Sequence, residues 1–327
     1  MPAPVLRCSM VARLHDHATQ LPGRSLAVAA LCLFAGGCSE PRRGDRQALL
    51  AAAVSSPPTD LVYSRVIAEG KRALCIAPAD GGPERRLTDG SADDGLPRWT
   101  PDGRTVIFSS KRTGTWQLWQ VPAKGGPPTR LRSNGCEESQ ADVSPDGKTL
   151  AFLSNCDGPQ SLWLMNLADA TPRLLVRHRK RTVFGNPHWN RDGRRIVFSS
   201  NHDLGHQIYI TDTESGDERR LSGLLYGGCE PRFSPDGGKV VHVSRGHRGS
   251  TSRLIETDLA SGAQTTLVDW PALNYDPVYS PDGTELAFAS NMTGEYQVYR
   301  LRLSDGKLQS VTSRPGEARE PDYRPLR

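Results

Sequence analysis

The 327-residue chain lacks the signatures that most readily announce a chemistry. It has no Gly-x-Ser-x-Gly elbow, no His-Glu-x-x-His pair and no phosphate-cradling glycine loop. His202 and His206 with Asp203 have neither a third defined ligand nor a helix to hold them, which argues against a metal site. The chain is therefore expected to be non-enzymatic and to need no metal or cofactor. The apolar stretch at residues 25–35 is too short to cross a bilayer as a mature helix. The charge excess is small as well. Arg7, Arg13 and Arg24 against Asp16 account for +2 of the net +5, which leaves +3 after residue 37 and argues against nucleic acid as a partner.

What the chain does have is a phrase repeated five times. It reads WTPDGRTVIF at 99–108, VSPDGKTLAF at 143–152, WNRDGRRIVF at 189–198, FSPDGGKVVH at 233–242 and YSPDGTELAF at 279–288. The turn aspartates Asp102, Asp146, Asp192, Asp236 and Asp282 follow one another after 44, 46, 44 and 46 residues. Asp-Gly between two apolar runs is a hairpin signal, because both residues tolerate positive φ. A period in the forties with several short strands per unit marks propeller blades, which bury their apolar faces only by stacking around a ring. Strand A precedes each turn and strand B follows it. Strand C carries Trp119, Trp163, Tyr209, Ile255 and Tyr299, and a short, often basic strand D includes Arg85-Arg86 and Arg219-Arg220. The 25 Pro and 32 Gly suit such a loop-rich all-β fold.

The two ends complete each other. Residues 61–88 supply strands B, C and D but no strand A, whereas Glu320-Pro321-Asp322-Tyr323 repeats the layout of Glu230-Pro231-Arg232-Phe233. Residues 60–327 are thus expected to form an all-β, six-bladed propeller of four-stranded blades, closed by the C-terminal strand pairing with the N-terminal segment.

These PDG hairpins, the Pro-x-aromatic-Ser-Pro lead-in and the Leu-Thr-like strand D resemble the TolB-type (PD40, WD40-like) β-propeller over all of 60–327. That resemblance implies an envelope protein that docks protein partners. The α/β domain that precedes the propeller in TolB has no counterpart in the twenty or so residues before the first blade. Prolyl-oligopeptidase-type enzymes carry a similar propeller beside an α/β-hydrolase domain, which is not evident here. Some polysaccharide lyases place chemistry on a propeller face, so carbohydrate binding or cleavage is the alternative expectation.

The N-terminus reads as a lipoprotein leader. Arg24 precedes the apolar core, and Gly36-Gly37 precede Cys38, an arrangement that resembles a lipobox. Residues 1–37 are then a signal peptide, Cys38 the lipidated residue and 38–59 a tether containing Arg42, Arg43, Pro57 and Pro58. Ser39 resembles the sorting residue of outer-membrane lipoproteins. The expected protein is a monomer, held on the outer membrane by its lipid, facing the periplasm and binding an envelope protein. Cys136 and Cys156 are equidistant from residue 146, so they face each other across one hairpin and are a disulfide candidate. Cys75 is expected to be a buried apolar residue, and Cys229 to be unpaired.

One column suggests a binding surface. Six residues before each turn aspartate stand Leu96, Gln140, Asn186, Glu230 and Asp276, with Glu320 from the closing strand. Strand A is innermost in such propellers, so Gln140, Asn186, Glu230, Asp276 and Glu320 should ring one mouth of the channel. They could meet a partner there, or simply satisfy backbone groups at the strand ends. The B–C and D–A loops share this face, among them the basic run Arg177–Arg181.

Overall fold

Each Asp-Gly pair closes a hairpin for a local reason. Asp102, Asp146, Asp236 and Asp282 accept hydrogen bonds from the hydroxyls of Thr100, Ser144, Ser234 and Ser280 at 2.5–2.6 Å. They also accept the backbone N–H two residues on, at 3.0–3.1 Å. The glycine after each aspartate sits at a φ of 62–75°, which a side chain would resist. The hydroxyl bonds hold the carboxyls of Asp102, Asp146 and Asp236 below the usual range. These turns are structural.

The computed structural model describes residues 59–177, 182–203, 205–223, 227–245 and 251–326. Within them the chain forms six four-stranded antiparallel sheets and no helix. Blade 1 combines strand A from Ala318–Tyr323 with Asp60–Ala68, Lys71–Pro78 and Arg85–Arg86. Blade 2 holds Asp94–Trp99, Thr105–Thr113, Thr115–Pro122 and Thr129–Arg130. Blade 3 holds Glu138–Val143, Thr149–Ser154, Ser161–Asn166 and Pro172–Val176. Blade 4 is built from Phe184–Trp189, Arg195–Ser200, Gln207–Asp212 and Glu218–Arg220, and blade 5 from Cys229–Phe233, Lys239–Arg245, Ser252–Asp258 and Gln264–Val268. Blade 6 consists of Asn274–Tyr279, Glu285–Thr293, Glu295–Arg302 and Leu308–Ser310. The all-β, six-bladed propeller expected from the repeats is what forms, including its closure by Leu61↔Tyr323 and Arg65↔Ala318 pairing. The leader 1–37, Cys38 and the tether up to residue 58 lie outside the described residues.

Blade-to-blade cores take one large side chain from each strand B. Phe108, Phe152, Phe198 and Phe288 are fully buried at the same repeat position, and Phe198 lies 5.7–5.8 Å from the rings of Phe184 and Tyr209. Burial of one such ring stabilises by roughly 1.5–3 kcal/mol. Blade 5 breaks the column with His242, also buried, whose Nδ1 has no hydrogen-bond partner. Burial pushes that imidazole down to about 4.

The cysteines fall at the hairpin margins and in the core. Cys136 and Cys156 lie just beyond the Glu138↔Ser154 pair that ends the A–B ladder of blade 3, and are bonded with a Cα separation of 4.9 Å. Cys75 is a buried free thiol. The expectation that Cys229 is unpaired is corrected: it is disulfide-bonded.

Candidate interaction site at the channel mouth

The mouth begins with a repeated break in the sheet. In every blade the pairing of strands A and B slips at the third residue of strand A or next to it, as between Gly95 and Arg98 or Tyr275 and Val278. The residue at the slip is Leu96, Gln140, Asn186, Glu230, Asp276 or Glu320, each with φ of 52–62°. An L-residue held there costs on the order of 1–3 kcal/mol unless its surroundings enforce it. The column thus marks six β-bulges rather than the start of strand A.

What enforces the bulges is a hydrogen-bond relay from blade to blade. Glu230 Oε2 accepts the N–H of Asp276 at 2.6 Å, and Asp276 Oδ2 accepts that of Glu320 at 3.2 Å. Glu320 Oε2 accepts the N–H of Leu96 at 2.6 Å, and Gln140 Oε1 that of Asn186 at 2.6 Å. Leu96 has no acceptor to pass on, so the Gln140 N–H turns to Ser109 Oγ at 3.0 Å. Four of the five polar ring members therefore hold their neighbour's backbone.

The acidic arc carries its own cations. Arg319 donates from Nε and Nη2 to Asp276 Oδ2 at 3.0 and 2.9 Å. Its guanidinium lies 5.1 Å from the ring of Tyr275 and 4.7 Å from that of Tyr296. Arg72 donates to Asp93 at 2.6 Å and to Glu320 at 3.0 Å, beneath the ring of Trp116 at 5.7 Å. It fits because residue 95 is glycine: a Cβ there would stand 2.5 Å from Nη1 of Arg72. Burial, then the neighbouring Asp276 charge, pushes the Glu230 carboxyl up to about 8.

Above this floor the rim is uneven. In blades 6, 1 and 2, which are consecutive, strand B has nine residues and strand C eight. In blades 3 and 4 both strands have six. The long hairpins turn at Gly70, Gly114 and Gly294, all at positive φ, and place Arg72, Trp116 and Tyr296 two residues after the turn. Trp116 and Tyr296 remain half-buried, and the exposed Lys111 lies 4.9 Å over the Trp116 ring. Sequence inspection missed this wall, although Thr113-Gly114-Thr115-Trp116-Gln117 and Thr293-Gly294-Glu295-Tyr296-Gln297 share a visible pattern.

A second ring lies deeper, two residues further along strand A: Asp322, Arg98, Asp142, His188, Arg232 and Val278 in blade order. It repeats the relay. Asp322 Oδ2 accepts the N–H of Trp99 at 2.8 Å, Asp142 Oδ2 that of Trp189 at 2.8 Å, and His188 Nδ1 that of Phe233 at 3.2 Å. Burial pushes the Asp142 and Asp322 carboxyls up to about 6, and with the Arg98 charge takes the His188 imidazole down to about 4. Asp322 and His188 stand on blades 1 and 4, opposite sides of the ring, and the charge of one bears on the other.

The other sequence candidates fall apart in space. Asp203 accepts from Tyr209 Oη at 2.6 Å and sits 3.6 Å from Arg220 and 3.8 Å from His202. No group of three metal-ligating side chains occurs among the described residues. Arg177 pairs with Asp157, and residues 178–181 of the basic run lie outside the described residues.

Comparison with known proteins bears on both fold and chemistry. The family model described as TolB beta propeller domain matches residues 44–177 and 226–326. The chain is similar in fold to TolB from Acinetobacter baumannii, with a TM-score of 0.74 and 22% identity over 88% of this chain and 74% of that one. Uncharacterized peptidase YuxL of Bacillus subtilis is 30% identical over 142 residues, 33% of this chain and 22% of that protein. Dipeptidyl-peptidase 5 of Porphyromonas gingivalis is 28% identical over 137 residues, 38% of this chain and 20% of that protein. The chain thus spans about a fifth of the length of these two relatives. Their names overturn the expectation of a non-enzymatic chain: missing motifs do not set it apart from enzymes when part of it matches proteins named as peptidases. With the family model matching well over half of its residues, the chain belongs to the TolB beta propeller domain family.

Proposed function

We propose that the propeller captures an extended polypeptide at its channel mouth, at the cell envelope. The observation that carries this reading is the raised wall of blades 6, 1 and 2. Its half-buried Trp116 and Tyr296 present aromatic faces beside Lys111 and Arg319, the combination that anchors protein contacts. Gln140, Asn186, Glu230, Asp276 and Glu320 form the floor beneath, and their relay keeps that floor rigid. The chain is exported, processed before Cys38 and lipid-anchored there on the outer membrane, facing the periplasm. The peptidase relatives favour a second form of the same reading, in which the captured polypeptide is a substrate to be cleaved.

The test is affinity capture from an envelope extract with the detergent-solubilised full chain, beside Trp116→Ala/Tyr296→Ala. A protein retained by the natural chain and lost by the variant supports the reading, and equal capture by both overturns it. Release of new N-termini from the captured protein separates substrate from docking partner. Cys38→Ser is expected to move the protein from the membrane to the soluble fraction, and persistence in the membrane would count against lipidation.

A further inference from the structure

The deeper channel ring contains two arginines in unlike settings. Arg98, on blade 2, stands between Asp322 and Asp142, and its charge acts on both carboxyls. Arg232, on blade 5, has His188 and Val278 as its neighbours in the ring. It is only 5% exposed, donates from Nη1 to the carbonyl of Pro231 at 3.1 Å, and enters no ion pair among the described residues. Its planar guanidinium carries five donors and cannot shed its charge. Most of them are left for something in the channel.

His188 adds a donor beside it. Its Nδ1 accepts the Phe233 N–H, so the neutral ring carries its proton on Nε2. His188 and Asp322 keep some accessible surface, so the channel at this depth admits a small group. Asp142 and Asp322, flanking Arg98, disfavour a second negative charge on the same ligand. A single planar anion matches the fork of a guanidinium best.

We propose that Arg232 and His188 form a carboxylate-binding station inside the channel, with the guanidinium engaging both oxygens and His188 Nε2–H donating to one of them. The carboxylate belongs either to a free small acid or to an Asp or Glu side chain of a polypeptide seated at the mouth.

The experiment uses the full chain carrying Cys38→Ser, labelled for observation of arginine Nε–Hε resonances, in low-chloride buffer with sodium formate as the probe. The expected result is a saturable shift of the Arg232 resonance while Arg98 stays still. Arg232→Gln should weaken formate by at least about tenfold, and Arg232→Lys, which keeps the charge but not the fork, by an intermediate factor. No saturable shift at Arg232, or undiminished affinity in Arg232→Gln, overturns the proposal. Should Arg232→Gln fail to fold, the titration of the Arg232 resonance decides alone. Competition by an N-acetylated, C-amidated Gly-Asp-Gly peptide but not by its Gly-Asn-Gly counterpart assigns the carboxylate to a side chain, and no competition by either assigns it to a free acid. Formate binding needs no partner, so failure of the capture experiment leaves this result standing, and the reverse holds too.

Discussion

The two halves of the rim are built on one repeat and have diverged at one place. Blades 6, 1 and 2 extend their B–C hairpins into a wall lined by Tyr296, Arg72 and Trp116, whereas blades 3 and 4 stop after six-residue strands. At the opposite end of the ring the Asp-Gly turns barely vary between halves. The hairpin that can lengthen without disturbing a neighbouring blade is the one that diverged, and the turn that locks strand A to strand B did not. The difference also reaches the floor. On the tall side the relay passes through charges, Asp276 and Glu320 with Arg319 and Arg72, and on the low side through the amide of Gln140.

The sharpest way to break this comparison is to cut the relay once on each side. Asp276→Ala strips the half-buried Arg319 of its partner and should cost about 2–3 kcal/mol in urea unfolding. Gln140→Ala, on the low side, removes a neutral acceptor from the Asn186 N–H and should cost only about 1 kcal/mol. Equal losses would mean that the two halves carry the ring alike. Next in size is the wall itself. Trp116→Ala should weaken a captured partner by about 30-fold, the effect of losing one aromatic anchor, with the unfolding midpoint nearly unchanged.

Glu230, where the low half meets Asp276, offers a pH signature. Its folded-state carboxyl, raised to about 8 by burial and by Asp276, keeps a proton that the unfolded chain gives up near pH 4.3. Its contribution is therefore complete at low pH and disappears as pH rises through 8. The natural protein should lose melting temperature between pH 5 and 8 relative to Glu230→Gln, whose amide oxygen can still accept the Asp276 N–H. Parallel curves would refute the raised carboxyl. The smallest expected effect is a gain. His242→Phe restores the buried column of strand B and should stabilise by about 1 kcal/mol at neutral pH. Because the folded imidazole is depressed to about 4, the natural protein loses stability as pH falls from 6.5 through 4. The advantage of the variant should widen there.

The fold was legible because its information is local and repeated. An Asp-Gly turn needs only the four or five residues around it, and five copies fix the period. The mouth column was legible as a position, from its constant offset to each turn. Its bulge and its bonds were not, because Glu230 meets Asp276 only after another blade has folded beside it. The second ring escaped notice for a different reason. Arg98, Asp142, His188, Arg232 and Val278 share an offset of four residues from their turns, but no common side-chain type draws the eye to it. The wall could have been found by comparing 113–117 with 293–297.

Closure of blade 1 by residues 318–323 has a consequence in time. Ser64 finds its hydrogen-bond partners on Arg319 and Glu320, 255 and 256 positions later, so one of the first strands made waits for the last. While it waits, the Asp60–Ala68 strand offers an unpaired edge to any other chain. The ring becomes a ring only once residues 318–323 have been made. A chain cut short before Ala318 would keep its other five complete blades and an open seam, and that seam is where association between copies should begin.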